Sequence, residues 1–141
     1  MNSLRVSFLL LALLALVTGG CTSQPPVKAQ SDFDAAFTLR TVMRDGRMIF
    51  EGVGGEINGR ANPDLIASVG DTVRVVLVNG DGITHDFAVP DLNVQTSLVM
   101  TYEQATEVVF QVNRPGEFIY YCTVAGHRQM GMEGKLIVSE P

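Results

Sequence analysis

The chain has 141 residues, 46% of them hydrophobic and 7% aromatic, with 10 basic and 15 acidic side chains and a formal net charge of −5. That length leaves room for one domain and little else. The acidic balance excludes a nucleic-acid partner, which calls for a basic face, and fits an exported, mildly acidic surface.

Met1–Arg5 carries a single positive side chain, and Val6–Val17 is a nearly continuous apolar run rich in Leu. That run is short of the roughly 20 residues a bilayer-spanning helix needs and reads as the core of an export signal. Thr18-Gly19-Gly20 then places small residues directly before Cys21. The arrangement resembles a bacterial lipoprotein signal, with Thr18 where Leu is commonest, and it implies that Cys21 carries the lipid. An ordinary signal peptide or a retained anchor helix is the alternative, but neither accounts for a cysteine there. The expected organisation is a signal peptide at 1–20, a lipidated N-terminus and flexible spacer at 21–33, and a folded domain at 34–141. Loss of residues 1–20 removes Arg5 alone among the charges, leaving 9 basic and 15 acidic side chains, a net of −6. The product is expected on the periplasmic or other extracytoplasmic face of a membrane, tethered by lipid without spanning it.

Thr22–Asp32 holds Ser, Gln and two Pro with little apolar material, as a spacer should. From Asp34 onward the pattern becomes short β-type runs. Phe37–Met43 and Met48–Val53 alternate. Thr72–Val78 is strongly β-branched and closes at the turn cluster Asn79-Gly-Asp-Gly82. Ile83–Val89, Val94–Thr101, Glu107–Val112, Glu117–Cys122 and Gly134–Val138 complete the set. About eight strands with frequent turns predict an all-β Greek-key sandwich or barrel with no amphipathic helix. Gly52-Val-Gly-Gly55 lacks the following helix and Lys-Ser/Thr pair of a phosphate loop and reads as a turn.

The chemistry concentrates in Tyr121-Cys-Thr-Val-Ala-Gly-His-Arg-Gln-Met-Gly-Met-Glu-Gly-Lys135. Cys122 ends a strand, His127 follows in a loop, and Met132 lies where the last strand begins. The chain has one other histidine, His85, in Gly82-Ile-Thr-His-Asp-Phe87. A thiolate, two imidazoles and a weak thioether form the donor set of a mononuclear electron-transfer copper site. Each has a plainer alternative: a turn histidine at 85, a structural thiol at 122, a solvated loop histidine at 127. Met130 competes with Met132, which is preferred because it stands at the strand start. A Cys21–Cys122 disulfide would consume the thiolate and is not expected. Met43, Met48 and Met100 read as core filler.

The spacing Cys-x4-His-x4-Met, followed by Gly-Met-x-Gly-Lys, resembles the ligand loop of the cupredoxins, the small blue-copper proteins. The Asn79…Thr84-His85-Asp86-Phe87 segment is similar to that family's upstream ligand segment, and the likeness runs from about Asn62 to Val138. The loop resembles that of rusticyanin and of cupredoxin domains associated with copper nitrite reductases. The resemblance implies one copper ion held by His85, Cys122, His127 and Met132 at one end of a Greek-key sandwich. It also implies electron exit through the ring edge of His127, beside a small apolar rim of Val124, Ala125 and Met130. Many members carry Asn directly after the upstream histidine; Asp86 stands there in this chain. Its carboxylate is expected to accept from Thr123 and to favour oxidised copper.

The expected function is therefore one-electron transfer by a monomer. Its partners would be redox proteins: a c-type cytochrome, a terminal oxidase or a copper nitrite reductase. Four protein donors leave no open position for a substrate, so no enzyme activity is expected. The alternatives are a copper carrier or metallochaperone, and an accessory electron-donor domain of a copper oxidoreductase. Two histidines cannot also furnish the second copper centre of a nitrite reductase.

Overall fold

The computed structural model describes residues 32–141, so the signal segment, Cys21 and most of the spacer lie outside the described residues. Among the described residues, nine strands form two sheets: β1 (Ala35–Arg44), β2 (Arg47–Val53), β3 (Leu65–Ser68), β4 (Thr72–Val78), β5 (Ala88–Val89), β6 (Val94–Gln95), β7 (Ala105–Gln111), β8 (Gly116–Tyr121) and β9 (Glu133–Ser139). The first sheet runs β2-β1-β4-β7 and the second β3-β9-β8-β5-β6. Pairings are antiparallel except β1 with β4 and β3 with β9. Among the described residues, helix is confined to single 3-10 turns at Gly55–Ile57 and Pro90–Leu92.

The period-2 pattern sets the facing of each strand. In β4, Val73, Val75 and Leu77 are fully buried while their neighbours are half-buried. In β8 and the residue after it, Phe118, Tyr120 and Cys122 point inward. Phe50 from the first sheet meets Tyr120 from the second and Phe87, the residue before β5, with ring centroids 5.5 and 6.1 Å away and edge-on geometry. Phe87 and Tyr120 lie 5.2 Å apart. Such aromatic contacts add about 0.5–1.5 kcal/mol each beyond simple burial. The trio joins the two sheets directly beneath one end of the sandwich.

Two expected strands shrink. Of Ile83–Val89 only Ala88 and Val89 pair as a ladder, because the Asn79 side chain takes the Ile83 carbonyl and His85 joins Val99 in a single bridge. Of Val94–Thr101 only Val94 and Gln95 pair, with Ala88 and Val89. A ninth strand, β3, was not among the expected runs. It is four residues long, inward-facing only at Leu65 and Ala67, and it pairs with the last strand of the chain. Gly54 and Gly55 both take positive φ, consistent with a turn and not a phosphate cradle.

Gly134 is fixed by sterics. A Cβ there would lie 2.3 Å from the Tyr120 hydroxyl oxygen and 2.4 Å from the ring carbon bearing it. The ring crosses β9 at that point to donate its hydroxyl to the Pro63 carbonyl at 2.7 Å. Gly134→Ala is therefore expected to destabilise the fold by about 1–3 kcal/mol through overpacking, read as a lower urea midpoint at unchanged slope.

Candidate metal centre

The inward stripes of three strands converge at one end of the sandwich. Phe118 and Tyr120 continue to Cys122; Val89 and Phe87 lead back to His85; Val138 and Leu136 lead back past Gly134 to Met132. Cys122, His85 and Met132 are thus each the next inward position beyond a packed core residue. The Cys122 amide donates to the Met132 carbonyl at 3.2 Å, which joins two of these stripe ends. His85 is pinned by paired backbone bonds with Val99, 2.9 and 2.8 Å.

His127 belongs to a coiled loop. Its amide donates to the Val124 carbonyl, and its own carbonyl accepts from Met130 and Met132, each at 3.1 Å. Gly131 permits the return at φ +102, where a side chain would also strike the Arg47 guanidinium. Arg128 lies over the Tyr121 ring at 4.3 Å and bonds Glu133 at 2.6 Å, bracing the loop from outside.

His85, Cys122 and His127 are brought together and buried, their donor atoms all within 4.8 Å of one another. The two Nδ1 atoms are 3.1 Å apart, and the Cys122 Sγ lies 3.4 Å from that of His127 and 3.8 Å from that of His85. Met132 is fully buried in the hydrophobic core that also contains Cys122, whereas Met130 is 39% exposed.

Burial pushes the Cys122 thiol up to about 11, so the sulfur keeps its proton at neutral pH unless a bound cation displaces it. Burial, and then the adjacent His85 ring, lower the pKa of His127 and keep its lone pair free at neutral pH. The donor set fits a soft or borderline cation. One sulfur and two imidazole nitrogens suit copper or zinc, whereas calcium and magnesium demand oxygen. The nearby carboxylates are already engaged.

Asp86 is one of these. Its Oδ1 accepts from the Thr123 amide at 2.6 Å, and its Oδ2 from the Thr123 hydroxyl and the Gln95 side-chain amide, the latter at 2.7 Å. Three donors satisfy this fully buried carboxylate, and it ties the segment of His85 to that of Cys122.

Two contributors were invisible in the sequence reading. Asp81 looked like a turn residue but accepts from the His85 Nε2, at 3.0 and 3.1 Å from its two oxygens. Asn62, at φ 47, accepts the Phe50 amide through Oδ1 and donates Nδ2 to the Gly131 carbonyl at 2.8 Å, stapling the loop to β2. The following Pro63 favours extended backbone at 62, so neither the left-handed turn nor a partner 69 residues away was signalled locally.

No family model matches the chain. It is 30% identical over 101 residues to nitrous-oxide reductase of Cupriavidus necator, which covers 69% of this chain and 15% of that protein. It is 32% identical over 87 residues to the copper-resistant cuproprotein CopI of Rubrivivax gelatinosus, covering 49% of this chain and 53% of CopI. The chain thus spans about half of one curated relative and a small part of the other. Among solved structures it is similar to rusticyanin from Thiobacillus ferrooxidans, with TM-score 0.58, 25% identity and coverage of 74% of this chain and 76% of that one. It is also similar to the copper-containing nitrite reductase of Thermus scotoductus, with TM-score 0.56, 27% identity and coverage of 75% and 28%.

Asn62→Ala would leave the buried-side Phe50 amide and Gly131 carbonyl without their partner. The expected cost is about 1–3 kcal/mol in the denaturation midpoint, with faster amide exchange at Gly131 and Met132.

Proposed function

We infer that this chain, a cupredoxin, carries single electrons through one copper ion held by His85, Cys122 and His127, with Met132 as a weak fourth donor. The observation that carries this reading is the buried convergence of one thiol and two imidazole nitrogens within 4.8 Å. Copper bound there alternates between cupric and cuprous forms and supplies the one-electron chemistry.

The chain's own residues do the rest. Three core-facing stripes hold the donors in nearly fixed positions, which favours a geometry shared by both oxidation states. His85 is sealed at 0% exposure, whereas His127 retains 8%. The edge of the His127 ring is thus the shortest way out, with the exposed Ala125 and half-exposed Met130 beside it. A reduced redox protein gives one electron at that face and an oxidised one takes it. Contacts of this kind are small and brief. All four donors come from the protein, so the role is that of a carrier and not an enzyme. Lipid attachment at Cys21 would keep this carrier at an extracytoplasmic membrane face, and Cys21→Ala is expected to move it from the membrane to the soluble fraction.

The likeness to a copper-resistance protein favours a second reading, a copper carrier that hands over its ion. A buried thiolate site opposes rapid exchange. Repeated oxidation and reduction beside a competing chelator separates the two: a redox carrier retains its copper, a metallochaperone loses it.

The copper-loaded chain is expected to bind one ion and show an intense visible thiolate-to-copper band. Cys122→Ser should abolish that band. Met132→Leu should keep it while raising the reduction potential, since the cupric form loses a donor. A colourless, weakly held copper in the unaltered chain would overturn the assignment.

A further inference from the structure

The turn that precedes His85 does more than reverse the chain. Asn79 accepts through Oδ1 from the amides of Asp81 and Gly82, at 3.2 and 2.7 Å, and donates Nδ2 to the carbonyls of Ile83 and Val99. Asn79 itself is fully buried, and its backbone bonds Glu103 and Gln104. The turn is therefore a rigid bracket. It presents the Asp81 carboxylate, whose side chain is 9% exposed, to the far nitrogen of the His85 ring. Oδ1 also accepts the Ile83 amide at 2.9 Å, which fixes the rotamer of the carboxylate.

A carboxylate can only accept in this contact, so the His85 Nε2 carries the proton and its Nδ1 presents a lone pair to Cys122 and His127. We propose that Asp81 is a positioning and tuning residue of the copper centre, completing a carboxylate–imidazole–metal relay with His85. This rests on the assignment of copper to His85, Cys122 and His127. The relay does two things. It locks the ring tautomer and orientation before the ion arrives, so binding need not select among ring states. It also adds a second negative carboxylate, beside Asp86, against the far edge of the His85 ring. Both charges favour the cupric state, and Asp81 acts through the ring on the donor itself.

Asp81→Asn separates these effects from mere turn structure, because the amide oxygen can still accept the Ile83 amide while the charge is gone. The expected result is a blue protein with its band retained and its reduction potential raised. Against a fixed redox buffer, the cuprous-to-cupric ratio should increase at least tenfold, about 59 mV for a one-electron couple. Asp81→Glu, which keeps the charge, should recover part of the shift. The metal-free chain gives an independent reading by nitrogen NMR. The unaltered protein should show His85 protonated at Nε2 with a slowly exchanging proton, and Asp81→Asn should speed that exchange at least tenfold. A blue Asp81→Asn variant with unchanged potential would overturn the inference while leaving the copper assignment intact. So would a metal-free protein whose His85 carries its proton on Nδ1. A copper-loaded wild type without the blue band would instead overturn the copper assignment, and the NMR result would still decide the tautomer lock.

Discussion

Two imidazole nitrogens held 3.1 Å apart against a buried sulfur form the contact on which the rest of this structure depends. Polar groups gathered in a buried place lose their contacts with water, so the chain must hold them there by other means. Those means are mechanical and polar together. Each strand-borne donor extends an inward-facing stripe that is already locked by packing around Phe50, Phe87 and Tyr120. Each polar atom left over is satisfied: among the described residues no buried side-chain nitrogen or oxygen lacks a partner. A cation placed among the donors would be held by the lone pairs that converge there.

The hydrogen bonds that matter are those joining segments distant in the chain. Asp86 joins the segment of His85 to that of Cys122, Asn62 joins the ligand loop to β2, and the Cys122 amide joins β8 to the start of β9. Surface ion pairs such as Arg74 with Glu107 and Lys135 with Glu117 decorate the sheets and contribute little, because solvent screens them. A site built from cross-segment ties is stiff, and of its two histidines only His127 keeps any exposure, at 8%. Stiffness and a ring close to the surface suit an electron carrier.

Much of this was legible in the residues. Thr72–Val78 is β4 to the residue, since a β-branched run closed by Asn-Gly leaves little choice. The donors could be named from type and spacing, because a thiol, two histidines and a methionine have few other uses together. What could not be read was pairing. Ile83–Val89 alternates like a strand, and His85 and Phe87 do face inward, but a single bridge and a side-chain cap replace the ladder there. Leu65–Ser68 is too short to stand out, and becomes a strand only because β9 lies beside it. Asp81 was hidden by a sufficient local explanation: an acid between glycines is ordinary turn chemistry, and only the folded turn shows it meeting a ring four residues on.

X-ray absorption at the copper edge of the loaded chain shows whether His85, Cys122 and His127 together hold one copper ion. A single copper per chain is expected, with one sulfur and two imidazole nitrogens as its near neighbours, and the short sulfur contact should vanish on replacing Cys122 by serine. A shell of oxygen scatterers, or copper bound with the imidazole of His85 absent from it, would refute the assignment.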